Sequence, residues 1–143
     1  MDEQIRVLIA DDQPRARRGL CAVLATSGLK AGQAHPAISV VGEAADGLQV
    51  IQLVEADQPD VVLMDAHMPH VDGLQATRLI KRRWPAVRVI MLTMYANYRT
   101  AAISAGADDF LLKGCDAADL LNAIQNKTVP QVSTLARQSL ERS

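Results

Sequence analysis

The chain has 143 residues, a formal net charge of -1, and 49% hydrophobic against 22% charged residues, a balance that folds as one domain. Aromatic residues make up only 3%, so the core must be aliphatic, and stacking platforms for single-stranded nucleic acid are not expected. The near-neutral charge provides no field for DNA. Cys21 and Cys115 lack metal or redox spacing and are expected as free thiols. With no signal peptide and no apolar run of membrane length, a cytoplasmic protein without membrane contact is expected.

Ile5 to Ala10 has strand composition and runs into Asp11 and Asp12. Pro14 suits the first turn of a helix, because its missing N–H would be unpaired there. That helix is expected to run to about Ser27, with Leu20, Val23 and Leu24 at core spacing and Gly28 as terminator. Arg15, Arg17 and Arg18 read as its solvated basic face, with a nucleic-acid contact as the lesser alternative. Lys30 to Pro36 shows no periodicity and reads as a surface loop. Ile38 to Ala44 alternates as an edge strand does, and Asp46-Gly47 turns the chain into a helix carrying Ile51 and Val54 inward.

Val61 to Met64 is fully apolar, as a strand covered on both faces must be. It ends in Asp65, and Pro69 prevents the same element from continuing. Asp72 is an N-cap, with Gln75 at capping-box spacing and Leu74, Ala76, Leu79, Ile80 and Trp84 as the buried face. Lys81-Arg82-Arg83 falls in the last turn, where the helix dipole favours cations. Val89 to Leu92 is another buried strand and ends in Thr93. An Ala-rich helix follows to Ala105, and Phe110 to Leu112 is a short strand ending at Lys113. The last helix runs from about Asp116, a candidate N-cap, through Ala117, Leu120, Leu121 and Ile124. From Lys127 the chain turns polar and reads as a linker or tail, although a short helix from Gln131 is a possible alternative.

Five strands alternating with five helices predict a three-layer α/β domain with a parallel sheet. Asp11, Asp12, Asp65, Thr93 and Lys113 then all lie at the carboxyl edge, where open sheets bind ligands. Periodicity does not dictate the strand order. The doubly wound order 2-1-3-4-5 would make strands one and three neighbours and bring the three carboxylates together. Such a cluster invites a hard divalent cation, and Mg²⁺ takes one or two carboxylates while keeping waters. A cation, a lysine and a hydroxyl around a nucleophilic carboxylate describe a phosphoryl-transfer site.

Asp11-Asp12, the Asp65 strand with Met68-Pro69, Thr93, and Phe110-x-x-Lys113 together resemble the receiver domain of two-component response regulators, over about Ile5 to Asn126. The wording around Met91 to Tyr95 and Val41 to Gly47 is similar to the subfamily with a C-terminal LuxR-type helix-turn-helix. The resemblance implies a flavodoxin-like (βα)5 doubly wound sandwich with a five-stranded parallel sheet of order 2-1-3-4-5. It implies a receiver domain over residues 1–126, with 127–143 a linker or C-terminal tail. Asp65 would accept a phosphoryl group from the phosphohistidine of a sensor histidine kinase. Asp12, Asp65 and the backbone carbonyl of His67 would hold Mg²⁺, with Asp11 acting mainly through water. Lys113 would pair with a phosphoryl oxygen, Thr93 would move to another, and Phe110 would rotate inward as part of the switch. Such a domain catalyses only its own phosphorylation and dephosphorylation. A phosphorylation-linked homodimer is implied, and DNA would be reached only through an output domain not in this chain.

Three residues depart from the family pattern. Gly114 replaces the usual proline after the lysine, so a cis peptide is not assured there. Met94 follows the threonine, where a smaller residue is common and access to the phosphoryl group would be freer. His67 stands two residues after Asp65, either as a rim residue or as an influence on water attack. Competing readings are a stand-alone receiver, a phosphorylation-independent interaction module, and an aspartyl-nucleophile phosphatase. The phosphatase would need an acid at the position of His67.

Overall fold

The computed structural model describes residues 4–26 and 37–125. The expected Lys30 to Pro36 loop, the Gly28 terminator and the tail from Lys127 lie outside the described residues. The strands are β1 (Gln4–Ala10), β2 (Ala37–Ala44), β3 (Val61–Met64), β4 (Arg88–Thr93) and β5 (Asp109–Leu112). The helices are α1 (Pro14–Ala25), α2 (Gly47–Asp57), α3 (Gly73–Arg83), α4 (Arg99–Ser104) and α5 (Ala117–Gln125).

All neighbouring strands pair in parallel, in the order β2-β1-β3-β4-β5. The alternation of side chains along each strand divides the core in two. Leu8, Val62, Met64, Val89 and Met91 face a cluster completed by Val50 and Val54 of α2, Ala76 and Ile80 of α3, and Ala102 of α4. Ile5, Val7, Ile9, Leu63 and Ile90 face the opposite cluster, completed by Leu24 of α1 and by Leu120 and Ile124 of α5. The fully apolar run Val61 to Met64 is buried at all four positions because both faces of β3 are covered. This is the flavodoxin-like sandwich.

Local chemistry sets the helix starts. Asp72 accepts a 2.8 Å hydrogen bond from the backbone N–H of Gln75, and Asp46 accepts one of 2.9 Å from Gln49. At the far end of α3, Lys81 Nζ donates to the carbonyls of Pro85 and Val87 and to Asp108, tying the entries to β4 and β5 together. Part of the basic triplet therefore has a structural task. Arg17 also leaves the supposed solvated face: it donates to Asp11 O at 2.6 Å and pairs with Glu43 at 3.1 Å. The expected Ala-rich fourth helix is shorter than the sequence suggests. A 3-10 turn over Ala96–Tyr98 comes first, and α4 has six residues.

Candidate functional site

The parallel ladders continue just past the strands and fix the backbone of the site. Asp65 N–H donates to Ala10 O (2.9 Å), Asp11 N–H to Ala44 O (3.0 Å), and Lys113 N–H to Thr93 O (2.7 Å). Because β1 and β3 are neighbours, Asp11, Asp12 and Asp65 meet: one carboxylate oxygen from each lies within 4.8 Å of the others. Asp11 is 1% and Asp65 7% exposed. Lys113 Nζ reaches in from the far side, 2.6 Å from Asp11 Oδ2 and 3.2 Å from Asp65 Oδ2.

Asp11 and Asp65 each have one oxygen tied to their own loop. Asp11 Oδ1 accepts from Gln13 N–H at 2.9 Å, and Asp65 Oδ1 from His67 N–H at 3.3 Å. The other oxygens face Lys113. Asp11 Oδ2 has that charge contact but no aligned hydrogen bond although it is buried. A second hard cation therefore fits the donor set, since it would satisfy an oxygen that the protein leaves short.

Burial pushes the Asp65 carboxyl above its ordinary value; Lys113 opposes this shift and Asp11 adds to it. Burial alone would lower the Lys113 ammonium, but its close contacts with the Asp11 and Asp65 carboxylates outweigh that and raise it. The upward shift of Asp65 despite its ion pair shows that desolvation dominates there.

Thr93 is 1% exposed at the end of β4, on the same edge, and its hydroxyl accepts a long 3.5 Å contact from Tyr95 N–H. Phe110 is already inside, 7% exposed within the α2, α3 and α4 cluster, with the Arg99 guanidinium 5.6 Å from its ring centre. From this conformation an inward rotation has little distance to travel. The His67 imidazole is not with the carboxylates: its Nε2 is 2.5 Å from the Tyr98 hydroxyl. Met94 is 67% exposed. Gly114 has φ +95, which glycine adopts without strain, and there is no cis peptide among the described residues.

Sequence reasoning missed two kinds of residue. Tyr98 and Arg99 contact His67 and Phe110 but match no motif or periodicity. Gly73 was passed over beside the Asp72 cap; a Cβ there would lie 2.0 Å from Asp65 O. A cavity of about 350 Å³ between α1 and α5, lined by Leu20, Val23 and Leu120 among others, shares Lys113 with the acid cluster.

Fold and site together define a doubly wound α/β domain whose switch-point crevice holds three carboxylates and a lysine. Residues 7–125 match the family model for the response regulator receiver domain, and the chain belongs to that family. The chain is 36% identical over 126 residues to the transcriptional regulatory protein DegU of Brevibacillus brevis, an alignment covering 87% of this chain and 50% of that protein. It is 39% identical to the transcriptional regulatory protein LiaR of Bacillus subtilis, covering 85% of this chain and 54% of that one. The crystal structure of a LuxR-family two-component response regulator from Aurantimonas superposes with a TM-score of 0.73 at 31% identity, over 85% of this chain and 83% of that one. The chain thus spans about half the length of the curated relatives it matches. Among the described residues, no helix is long and apolar enough to cross a membrane.

Proposed function

We propose that this receiver domain accepts a phosphoryl group on Asp65 from a sensor histidine kinase and uses it to control transcription through a DNA-binding output domain. The Asp11, Asp12, Asp65 and Lys113 cluster at the switch point is the observation that supports this reading most. An Asp65 carboxylate oxygen attacks the phosphorus of the phosphohistidine, the P–N bond breaks, and the histidine leaves. Lys113 already sits 3.2 Å from Asp65 Oδ2, where it can neutralise charge on the incoming group.

Asp12 and Asp65, with the His67 backbone carbonyl and with Asp11 acting through water, would hold Mg²⁺. When bound, the ion neutralises charge on the carboxylates and the phosphoryl oxygens. Thr93 supplies a hydroxyl to one phosphoryl oxygen, and Phe110 responds to its movement. In this reading residues 1–126 are the receiver unit, with 127–143 a linker or C-terminal tail. The exposed side chains Met94, Tyr95, Ile103 and Leu112 lie around α4 and β5, a face available for phosphorylation-linked dimerisation.

The direct test is incubation with acetyl phosphate and Mg²⁺. One acid-stable, base-labile phosphoryl group per chain is expected, and none on Asp65→Asn. Equal labelling of that variant would refute the assignment of Asp65.

A further inference from the structure

We propose that Tyr98 is a positioning residue for the phosphoacceptor loop, acting through His67, and that this tie gives α4 a connection to Asp65 separate from Thr93 and Phe110. The inference rests on Asp65 being the phosphoacceptor.

His67 is held from both ends. Its backbone N–H donates to Asp65 Oδ1 at 3.3 Å, while its ring nitrogen Nε2 is 2.5 Å from the Tyr98 hydroxyl. One residue thus spans the gap between the reactive carboxylate and the segment that starts α4. The ring, although exposed to solvent, also makes edge-on contacts to Tyr98 at 5.1 Å and to Tyr95 at 5.7 Å between ring centres. Tyr95 and Tyr98 meet at 6.1 Å. Tyr98 is packed against the core cluster, and its N–H bonds Tyr95 O at 3.1 Å. It is therefore a fixed post against which His67 can be aligned.

The recipient of the signal is weakly held by its own structure. α4 has six residues and no side-chain cap, and helices that short take their position from tertiary contacts. Two successive residues at its start provide such contacts: Tyr98 bonds His67, and Arg99 covers the Phe110 ring. Because Phe110 is already buried, ring rotation has little scope to signal from this conformation. The His67 link is not spent in this way. A phosphoryl group on Asp65 changes the acceptor presented to the His67 N–H, and any shift of that peptide is passed by the imidazole to Tyr98 and so to α4.

The test is a double-mutant cycle in the full chain with Tyr98→Phe, His67→Ala and the pair, using acetyl phosphate and Mg²⁺ as probes. Tyr98→Phe removes one hydroxyl and keeps the ring packing. In the unmodified protein it is expected to speed amide exchange over residues 96–104 about fivefold, the effect of one hydrogen bond. Its phosphorylation rate at saturating Mg²⁺ is expected to fall about threefold, because loop alignment is lost. His67→Ala should do the same, and the pair no more than either alone, which a merely structural tyrosine would not produce. The exchange change over 96–104 that phosphorylation causes in wild type should shrink in all three variants. Multiplying effects in the pair, or an undiminished exchange response in Tyr98→Phe, overturns the proposal while Asp65 remains labelled. A wild type that takes no label overturns the function reading and this inference with it.

Discussion

Asp65 is a poorly accommodated charge, and its substitution should show this. Its carboxyl is raised in the folded state by burial, with Asp11 adding to the effect, so the native protein binds that proton more tightly than the unfolded chain does. Stability must then fall as pH rises from the ordinary carboxylate range through the raised value. Asp65→Asn is expected to be about 1 kcal/mol more stable than wild type at pH 7 while losing phosphorylation, the usual exchange of stability for function. The advantage should close on acidification to about pH 3, where the wild-type carboxyl is largely protonated in both states. Thermal melts at the two pH values check this, and a gap that widens in acid would contradict it. Lys113 has the opposite sign. Its ammonium is raised by Asp11 and Asp65 against the effect of burial, so its contribution is complete at neutral pH and is lost only as pH climbs through that raised value. Lys113→Gln should cost about 2 kcal/mol at pH 7, less than a fully buried pair because 23% of the side chain stays exposed.

At the scale of elements, the join between β3 and α3 is packed tightly enough to admit no side chain at its helix start. Gly73 N–H bonds Ala66 O at 3.0 Å, and its carbonyl accepts from the buried Thr77 hydroxyl at 2.7 Å. A Cβ at Gly73 would come 2.0 Å from Asp65 O, so α3 can dock here only with glycine as its first residue. Gly73→Ala is expected to cost about 2–3 kcal/mol by overpacking and to slow phosphorylation, because the displaced backbone belongs to the nucleophile. Gly19→Ala is the contrasting case. It lies inside α1 with nothing within 4 Å of the added Cβ, so the gain in helix propensity, about 1 kcal/mol, should appear undiminished in a denaturant melt. The sequence made half of this junction legible: Asp72 announces the helix start through its own hydrogen bond to Gln75 N–H, a local interaction. The Gly73 contact was not legible, because its partner lies eight residues back across a turn that no periodicity describes. The same reason hid Tyr98 and Arg99. Each acts through one contact, to His67 or Phe110, in a stretch where a 3-10 turn breaks the helical pattern.

For the whole molecule, chain order and hydropathy predicted five β-α units and located the five polar residues at strand ends, since both are properties of short segments. Strand order is a property of pairing between distant segments, and it entered through the family resemblance rather than through periodicity. The β1 to β3 neighbour relation that assembles the acid cluster was implied in the same way, and the parallel pairing of the two strands bears it out. The same pairing shows where the folding unit closes. Ile124 is fully buried in the α1 and α5 cluster, and Arg88 at the start of β4 donates to the carbonyls of Ala123 and Ile124 at 2.7 and 3.1 Å. The end of α5 is thus fastened from the sheet through residues that precede Asn126. A chain truncated after Asn126 is expected to melt within about 2 °C of the full chain, a difference worth less than about 1 kcal/mol for a domain of this size, and to label Asp65 at the same rate. Ile124→Ala, at the last buried position among the described residues, should by contrast cost about 2–4 kcal/mol as a large-to-small change in a closed core. Should truncation cost as much as that substitution, residues beyond 126 would belong to the receiver's core and the 1–126 boundary would be wrong.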